Sequence, residues 1–600
     1  MKQNKIMKRS EVPEEFTWNL KDLYESDEEW EEAIAELETY PKKLAKLQGT
    51  LGKSAANLLK YYKLSDEISV KMENAYSYAS MKGDEDTANS KYQDYRGKAM
   101  STYVAIAGAS AFAGPEIMAI PDETLEGFYE EKKALRKYKV NIDRVRKAKD
   151  HILSPAEEAI MAAVAEVSAA PENINSLLQD ADFKWDDVVD AKGRKHPLTN
   201  GSFTMLLEDP DQDFRKKVFE QYYKQFEAHK NTIAAAFDGH FKGLKFNAFQ
   251  RHYGSTLEAA LEETEVPVEV YTNLIEAVHG NLDKMYKYVA LRKKMLGVKK
   301  LHMYDVYVPI VKNAAKKISF EEAKKTVLEA LSVLGKDYTD LLEEGFNNRW
   351  IDVYENEGKR GGAYSSGSSH PHPYVLLNHK DNLDSMFTLA HEMGHALHSY
   401  HSTKNQPVNT EGYVIFVAEV ASTCNEVLLM KYLLSKTTDK KERMYLINHF
   451  LDSFKGTVYR QTMFAEFELM MGRAAEAGQT LTADWLCEKY LELNKLYFGP
   501  KMISDPQIAL ECLRIPHFFY NYYVFQYATG YSAAVAIANR ILEEGEPAVK
   551  DYKKFLSGGC STDPISLLKI AGVDMGSPEP VNSALKLFGE LVDELEKLQK

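Results

Sequence analysis

Seven of the 16 histidines lie between positions 370 and 401, and five consecutive residues there, His391-Glu392-Met393-Gly394-His395, carry the most specific spacing in the chain. On an α-helix, residues four apart lie about 40° apart around the axis and one turn along it, so two imidazoles so spaced can converge on one cation. Glu392 leans toward the same opening. On a helix this pattern binds zinc and uses the glutamate as the general base of a hydrolysis. Leu383, Met386, Phe387, Ala390, Met393 and Leu397 recur around it at helical spacing, and Asn382 or Asp384 can cap the start. The pattern predicts an amphipathic helix carrying a metal.

Tetrahedral zinc with an open catalytic position needs a third protein ligand. The run from His391 to His401, H-E-M-G-H-A-L-H-S-Y-H, offers a third histidine, but His398 stands where the metzincin pattern requires glycine. Without that glycine the helix continues, and His401 rotates about 240° away from His395. His398 stays on the His391 side but about 10 Å farther along the axis. The expectation is that His398 lines the cleft wall or stands just behind the metal ligands, and that His401 lies on the surface. A carboxylate from a following helix is the alternative, within Phe416 to Glu426. Glu419 sits in an apolar surround, where an unpaired carboxylate is costly and a cation partner is expected. Glu426, on the same helical face, could orient a ligand histidine from behind. Glu411 competes, although Asn409, Thr410 and Gly412 around it suggest an exposed turn.

These residues must be held in place by a chain of 600 residues, longer than one ordinary core supports, so two or more lobes are expected. Gly 33 and Pro 20 are low for this length and favour long helices over a turn-rich β architecture. Helix starts are written at Ser26-Asp27-Glu28-Glu29 and at Ser154-Pro155-Ala156-Glu157. A polar stretch from Asp190 to Asn200 breaks the helical rhythm, which places a boundary near 200: an N-terminal helical region over 1–200 and a catalytic domain over 201–600. Three Val-, Ile- and Tyr-rich segments, His302 to Val308, Trp350 to Glu355 and Tyr374 to Asn378, read as strands of a small sheet. Between the last two lies the only glycine- and serine-dense stretch, Gly358 to Ser369. No Gly-Lys-Ser/Thr closes it, so it is not a P-loop. A loop that bends sharply and lets another backbone approach fits better.

A net charge of −14 argues against a nucleic-acid surface. Cys424, Cys487, Cys512 and Cys560 make neither a CxxC motif nor a disulfide framework, and reduced thiols in a cytoplasm are the expectation. The basic start, Met1 to Ile6, is not followed by the apolar run of a signal peptide. No run of about 18 apolar residues predicts a membrane span.

HEMGH, the Glu419-x-x-Ser422 that follows it, Gly358-Lys359-Arg360-Gly361-Gly362-Ala363-Tyr364 and Pro373-Tyr374-Val375-Leu376-Leu377-Asn378 together resemble the M3 family of zinc oligopeptidases that contains thimet oligopeptidase, and within it the oligoendopeptidase F branch. Supporting matches run from Ser10-Glu11-Val12-Pro13 through Arg514-Ile515-Pro516-His517-Phe518-Phe519-Tyr520 to Tyr527-Ala528-Thr529-Gly530, across almost the whole chain. The resemblance implies one Zn2+ ion held by His391, His395 and Glu419, with Glu392 as catalytic acid/base. It implies a mainly α, two-lobed body with a small sheet near the active site and a deep substrate channel floored by the HExxH helix. Gly361, Gly362, Tyr364, Tyr374 and Val375 would lie along the substrate, where an edge strand can pair with an extended peptide.

A second cluster is aromatic, from His517 to Tyr531, and such a helix face is more often core than catalytic. The family uses a histidine and tyrosines of this region to hold the tetrahedral intermediate, which implies His517, Tyr520 and Tyr527, with Tyr522 or Tyr523 as alternatives. The activity expected is that of a zinc metalloendopeptidase hydrolysing internal bonds of short, unstructured oligopeptides, by Glu-assisted attack of zinc-bound water. Peptides are the only partners expected, with no nucleic acid and no membrane, and the oligomeric state stays open. Cobalt or manganese also suits a His₂Glu site. The rivals are a helical scaffold that keeps a zinc site without turnover, and a zinc amidase or exopeptidase.

Overall fold

A computed structural model describes residues 6–311, 317–366 and 370–600; the basic start at 1–5 and positions 367–369 of the glycine-serine stretch lie outside the described residues. Helix makes up 73% of the molecule, and the sheets are small. The fold is mainly α, as the low glycine and proline content implies. The longest helices, Ala55–Glu85 and Gln212–Gln250, have 31 and 39 residues. The expected helix starts are used. Ser26 accepts from the Glu29 N–H at 3.3 Å, and Ser154 and Glu157 form a reciprocal capping box. No single helix among the described residues is long and apolar enough to cross a membrane.

The chain folds into two compact units, each assembled from three segments. One comprises Met1–Lys149, Ala315–Tyr432 and Ile537–Gly572; the other comprises Asp150–Ala314, Leu433–Ala536 and Val573–Lys600. Neither is bounded at residue 200. The polar break there is a local β-ribbon, Val188↔His196 and Val189↔Lys195, turned by Gly193 at φ 76° and tied by the Asp190 carboxylate. It interrupts the helical rhythm inside one of the two compact units.

The first unit carries the sheet nearest the HExxH helix. Its strand order is Ile351–Asp352, Tyr374–Leu376, Tyr364–Ser366, the first pair parallel and the second antiparallel. The segment 302–308 does not join it. Only Leu301–His302 is extended, pairing in parallel with Met502–Ile503 in the second unit, and the chain then turns into a short 3₁₀ helix. Asp352 is fully buried in the sheet and is satisfied by Arg9 at 2.5 Å and Lys359 at 2.6 Å. A buried carboxylate needs such partners. The Arg9 contact also explains why the segment after it is folded against the sheet: Val353 N–H donates to Phe16 and Asn19 N–H to Arg349. Trp18, Trp30, Tyr78, Tyr95, Tyr374 and Leu376 form the core beneath, with Trp30 stacked on Tyr95 at 4.0 Å.

Candidate metal centre

The helix Leu383–Asn405 starts on Asn382, whose side chain accepts from the Ser385 N–H at 2.8 Å. The next long helix, Ile415–Lys436, crosses it at Gly394, where a Cβ would stand 2.6 Å from Ser422 Cα and 2.8 Å from the Ala421 carbonyl oxygen. Only glycine allows that approach. Asn425 holds the crossing, donating to the Ala390 carbonyl at 3.1 Å and accepting from the Tyr338 hydroxyl at 3.1 Å.

This close crossing brings Glu419 to the two histidines. His391 Nε2 and His395 Nε2 are 3.2 Å apart, and Glu419 Oε2 lies 3.3 and 3.5 Å from them. With zinc–ligand bonds of about 2.0–2.1 Å, neighbouring ligand atoms of a tetrahedron stand roughly 3.3–3.4 Å apart. The three atoms therefore trace one face of such a tetrahedron, and their donor types suit zinc. Among the described residues no other trio of His, Cys, Asp or Glu converges in this way. The Ser422 hydroxyl donates to Glu419 Oε2 at 3.1 Å, which gives the Glu-x-x-Ser spacing a reason. Glu426 binds His391 Nδ1, leaving Nε2 to face the trio. Burial pushes the Glu419 carboxyl up, but hydrogen bonds from His391 and His395, and their charge, outweigh it and hold it far below the usual range.

Glu392 is buried beside this trio without belonging to it. Burial, helped by the charge of Glu419, raises its carboxyl above the ordinary value, while His391, His395 and the Ser365 backbone N–H pull the other way. A raised carboxyl in a buried site is the profile of a general acid/base.

Two histidine readings need correction. His398 is no cleft wall: it is fully buried, stacked 3.9 Å from Tyr413 and packed near Phe555, and burial lowers it to about 3. His401 is no surface residue either; it is half-buried, parallel to Tyr338 at 6.3 Å, and lowered to about 4 by burial. The helix beyond the metal ligands is covered by Tyr413 and Phe555 on the His398 side and by Tyr338 at His401, which a linear pattern does not reveal. Glu411 turns to His370, 3.3 Å away.

The glycine segment is anchored as a unit. Gly358 has φ 80°, and a Cβ on it would lie 2.3 Å from Asp86 Oδ1. Asp84 collects the Arg360 N–H, at its carbonyl, and the Tyr364 hydroxyl, at 2.7 Å. Gly361 and Gly362 are exposed, and Asn378 holds the Gly362 carbonyl at 2.8 Å. Strand 374–376 is not an edge. It is the central strand, and Tyr374 and Val375 are completely buried, so neither is placed to touch a peptide. The edges are Ile351–Asp352 and Tyr364–Ser366, and Ser365 of the latter reaches Glu392. The hydrophobic content of 374–378 marks it as interior, since strands covered on both sides read as continuous apolar runs.

In the other unit, the segment from Pro516 to Tyr527 sorts its rings into two sets. Phe518 packs on Phe464 and Phe467, and Phe519 stacks on Phe237 at 4.8 Å. His517, Tyr520, Tyr523 and Tyr527 form a second cluster: His517 lies 5.4 Å from Tyr520, 6.3 Å from Tyr523 and 6.1 Å from Tyr527. Tyr520 is exposed, whereas His517, Tyr523 and Tyr527 are half-buried. Tyr522 turns inward and is buried, its hydroxyl 2.7 Å from Thr256 Oγ1. Of the four tyrosines, Tyr522 is the one unsuited to meet a ligand.

The family model described as Peptidase family M3 matches residues 205–587, and one described as Oligopeptidase F matches residues 116–185. The chain belongs to peptidase family M3. Oligopeptidase PepF of Bacillus subtilis is 45% identical over 597 residues, covering 100% of this chain and 89% of that protein. The plasmid-borne oligoendopeptidase F of Lactococcus lactis subsp. cremoris is 40% identical, covering 98% of each. Among solved structures, oligoendopeptidase-F from Enterococcus faecium is 35% identical with a TM-score of 0.75, covering 95% of this chain and 99% of that one. Family membership supports peptidase activity of the oligoendopeptidase F kind.

Within this M3 chain, the structure adds residues that the sequence pattern did not assign: Gly394 and Asn425 at the helix crossing, and Ser365 beside Glu392. The glycine inside HEMGH was the available signal for the first. Ser365 had none beyond its place next to the glycine segment.

Proposed function

We propose that this peptidase is a zinc-dependent endopeptidase for short, unstructured oligopeptides. The observation that carries the proposal is the triangle of His391 Nε2, His395 Nε2 and Glu419 Oε2, with edges of 3.2–3.5 Å and the buried Glu392 beside it. A zinc ion held there would supply Lewis acidity to the scissile carbonyl and to the attacking water. Glu392 takes the proton of that water and returns it to the leaving amine. Glu426 keeps His391 in the tautomer that presents Nε2. Edge strand Tyr364–Ser366 offers backbone groups to an extended peptide, which would read peptide shape and tolerate many side chains. His517, Tyr520 and Tyr527 donate to the oxyanion that develops on the carbonyl; the exposure of Tyr520 and the ring cluster around His517 support this reading.

A quenched peptide blocked at both ends provides the test. Internal cleavage, lost with a chelator and restored by stoichiometric zinc, is expected. Cleavage that requires a free terminus would favour an exopeptidase, and chelator-resistant cleavage would remove the metal from the account.

A further inference from the structure

The aromatic segment is held by a conspicuously costly piece of backbone. Asn521 and Tyr522 have φ of 52° and 60°, two consecutive non-glycine residues in the left-handed region. Such conformations are costly and persist only where the surroundings over-determine them. Here the surroundings are a single face of the helix Arg460–Glu476, on which Glu468, Gly472 and Glu476 recur every fourth residue.

Each of the three does a separate job. Glu468, completely buried, accepts the Tyr522 backbone N–H at 2.6 Å, exactly where the left-handed turn points that donor inward. Gly472 makes room for the phenol: a Cβ there would stand 1.8 Å from the Tyr522 hydroxyl and 3.1 Å from its ring carbon Cζ. Glu476 accepts from both the Thr256 N–H and its hydroxyl, each at 2.7 Å, and Thr256 Oγ1 meets the Tyr522 hydroxyl at 2.7 Å. Tyr522 is thus fixed at its backbone and at its tip.

We infer that Glu468, Gly472 and Tyr522 form a clamp that positions the flanking rings, His517 and Tyr520 before it and Tyr523 and Tyr527 after it, for catalysis. The clamp groups are positioning residues, since Tyr522 and Glu468 are buried. The inference rests on the reading that the flanking rings serve the oxyanion. Turning Tyr522 inward leaves its neighbours on the accessible side, because adjacent residues cannot share one face of so tight a turn.

The test compares kcat and KM for Gly472→Ala, Tyr522→Phe and the double variant, with Tyr527→Phe and His517→Ala in parallel, all at measured zinc content. Gly472→Ala should lower kcat by about 10²-fold, the scale of a 1 Å misplacement, with KM and zinc little changed. Removing the hydroxyl relieves the 1.8 Å collision and leaves the milder contacts, 3.1 Å to the ring carbon Cζ and 3.0 Å to Thr256 Oγ1, so Gly472→Ala/Tyr522→Phe should recover much of the way to the Tyr522→Phe level. A purely structural role would lower the melting temperature without this kcat-selective loss and rescue. If Gly472→Ala fails to fold, Tyr522→Leu, which empties the groove without adding bulk, should show the same kcat loss. Full kcat in Gly472→Ala or Tyr522→Leu, alongside impaired Tyr527→Phe and His517→Ala, overturns the clamp alone. Near-normal kcat in Tyr527→Phe and His517→Ala overturns the oxyanion reading and the clamp with it.

Discussion

Gly394 and Gly472 both sit in mid-helix, where glycine costs about 1 kcal/mol relative to alanine, and both are there to admit something a Cβ would exclude. What they admit differs. At Gly394 it is the backbone of a neighbouring helix, 2.6 Å from the place of the absent Cβ, so two regular helices meet and their side chains converge on a metal-sized triangle. At Gly472 it is one phenol hydroxyl, 1.8 Å from that place, on a turn with two left-handed residues. The first region is built from regular helix geometry, which a spacing rule captures. The second depends on an irregular backbone docked to a helix some fifty residues away in sequence, which no local pattern encodes.

The largest effect expected in this comparison is at the metal. Glu419→Ala should strip or greatly weaken zinc, and peptidase activity should vanish with it. His401→Ala should leave metal content unchanged, since His401 packs by Tyr338 and stands outside the trio. Metal analysis of both purified variants decides; the reverse pattern would restore a three-histidine site.

Next comes the aromatic segment. Tyr527→Phe keeps ring and packing but removes the hydroxyl proposed to donate to the oxyanion, and kcat is expected to fall by on the order of 10²–10³. Tyr520→Phe should fall in the same direction. In Tyr522→Phe, where the hydroxyl serves Thr256, a several-fold loss at most is expected. If all the Tyr→Phe variants keep kcat within a few-fold of the parent, the segment is core alone.

The smallest effect concerns stability. Burial pushes the Glu468 carboxyl up to about 8 from its ordinary 4.5, with the phenols of Tyr271 and Tyr522 facing it. A carboxyl raised in the folded state favours folding while protonated: its contribution is full below 4.5 and is lost as pH rises through about 8. Glu468→Gln carries no such proton. Its melting temperature relative to the parent should therefore improve steadily from about pH 5 to about pH 9. A difference independent of pH would mean that Glu468 does not titrate in this range.

The contrast between the two regions also explains what was legible. HEMGH, its cap and Glu419 follow from helical periodicity and from the cost of a bare carboxylate among apolar residues. Glu426 follows from the same face. The mainly α fold follows from few glycines and long amphipathic runs. The readings that failed are those that depend on what covers an element from outside. The interior position of strand 374–376, the burial of His398 behind Tyr413 and Phe555, and the assembly of each unit from three separated segments all arise from long-range packing. Tyr364 shows the same limit: its hydroxyl is taken by Asp84, some 280 residues earlier.

The central claim is that Glu392 moves the proton while three other side chains hold the metal. Zinc content and kcat, measured on one preparation of Glu392→Gln, test it most directly. The account predicts stoichiometric zinc with kcat lower by on the order of 10²–10⁴. Turnover close to the parent's, or loss of zinc in proportion to activity, would contradict it.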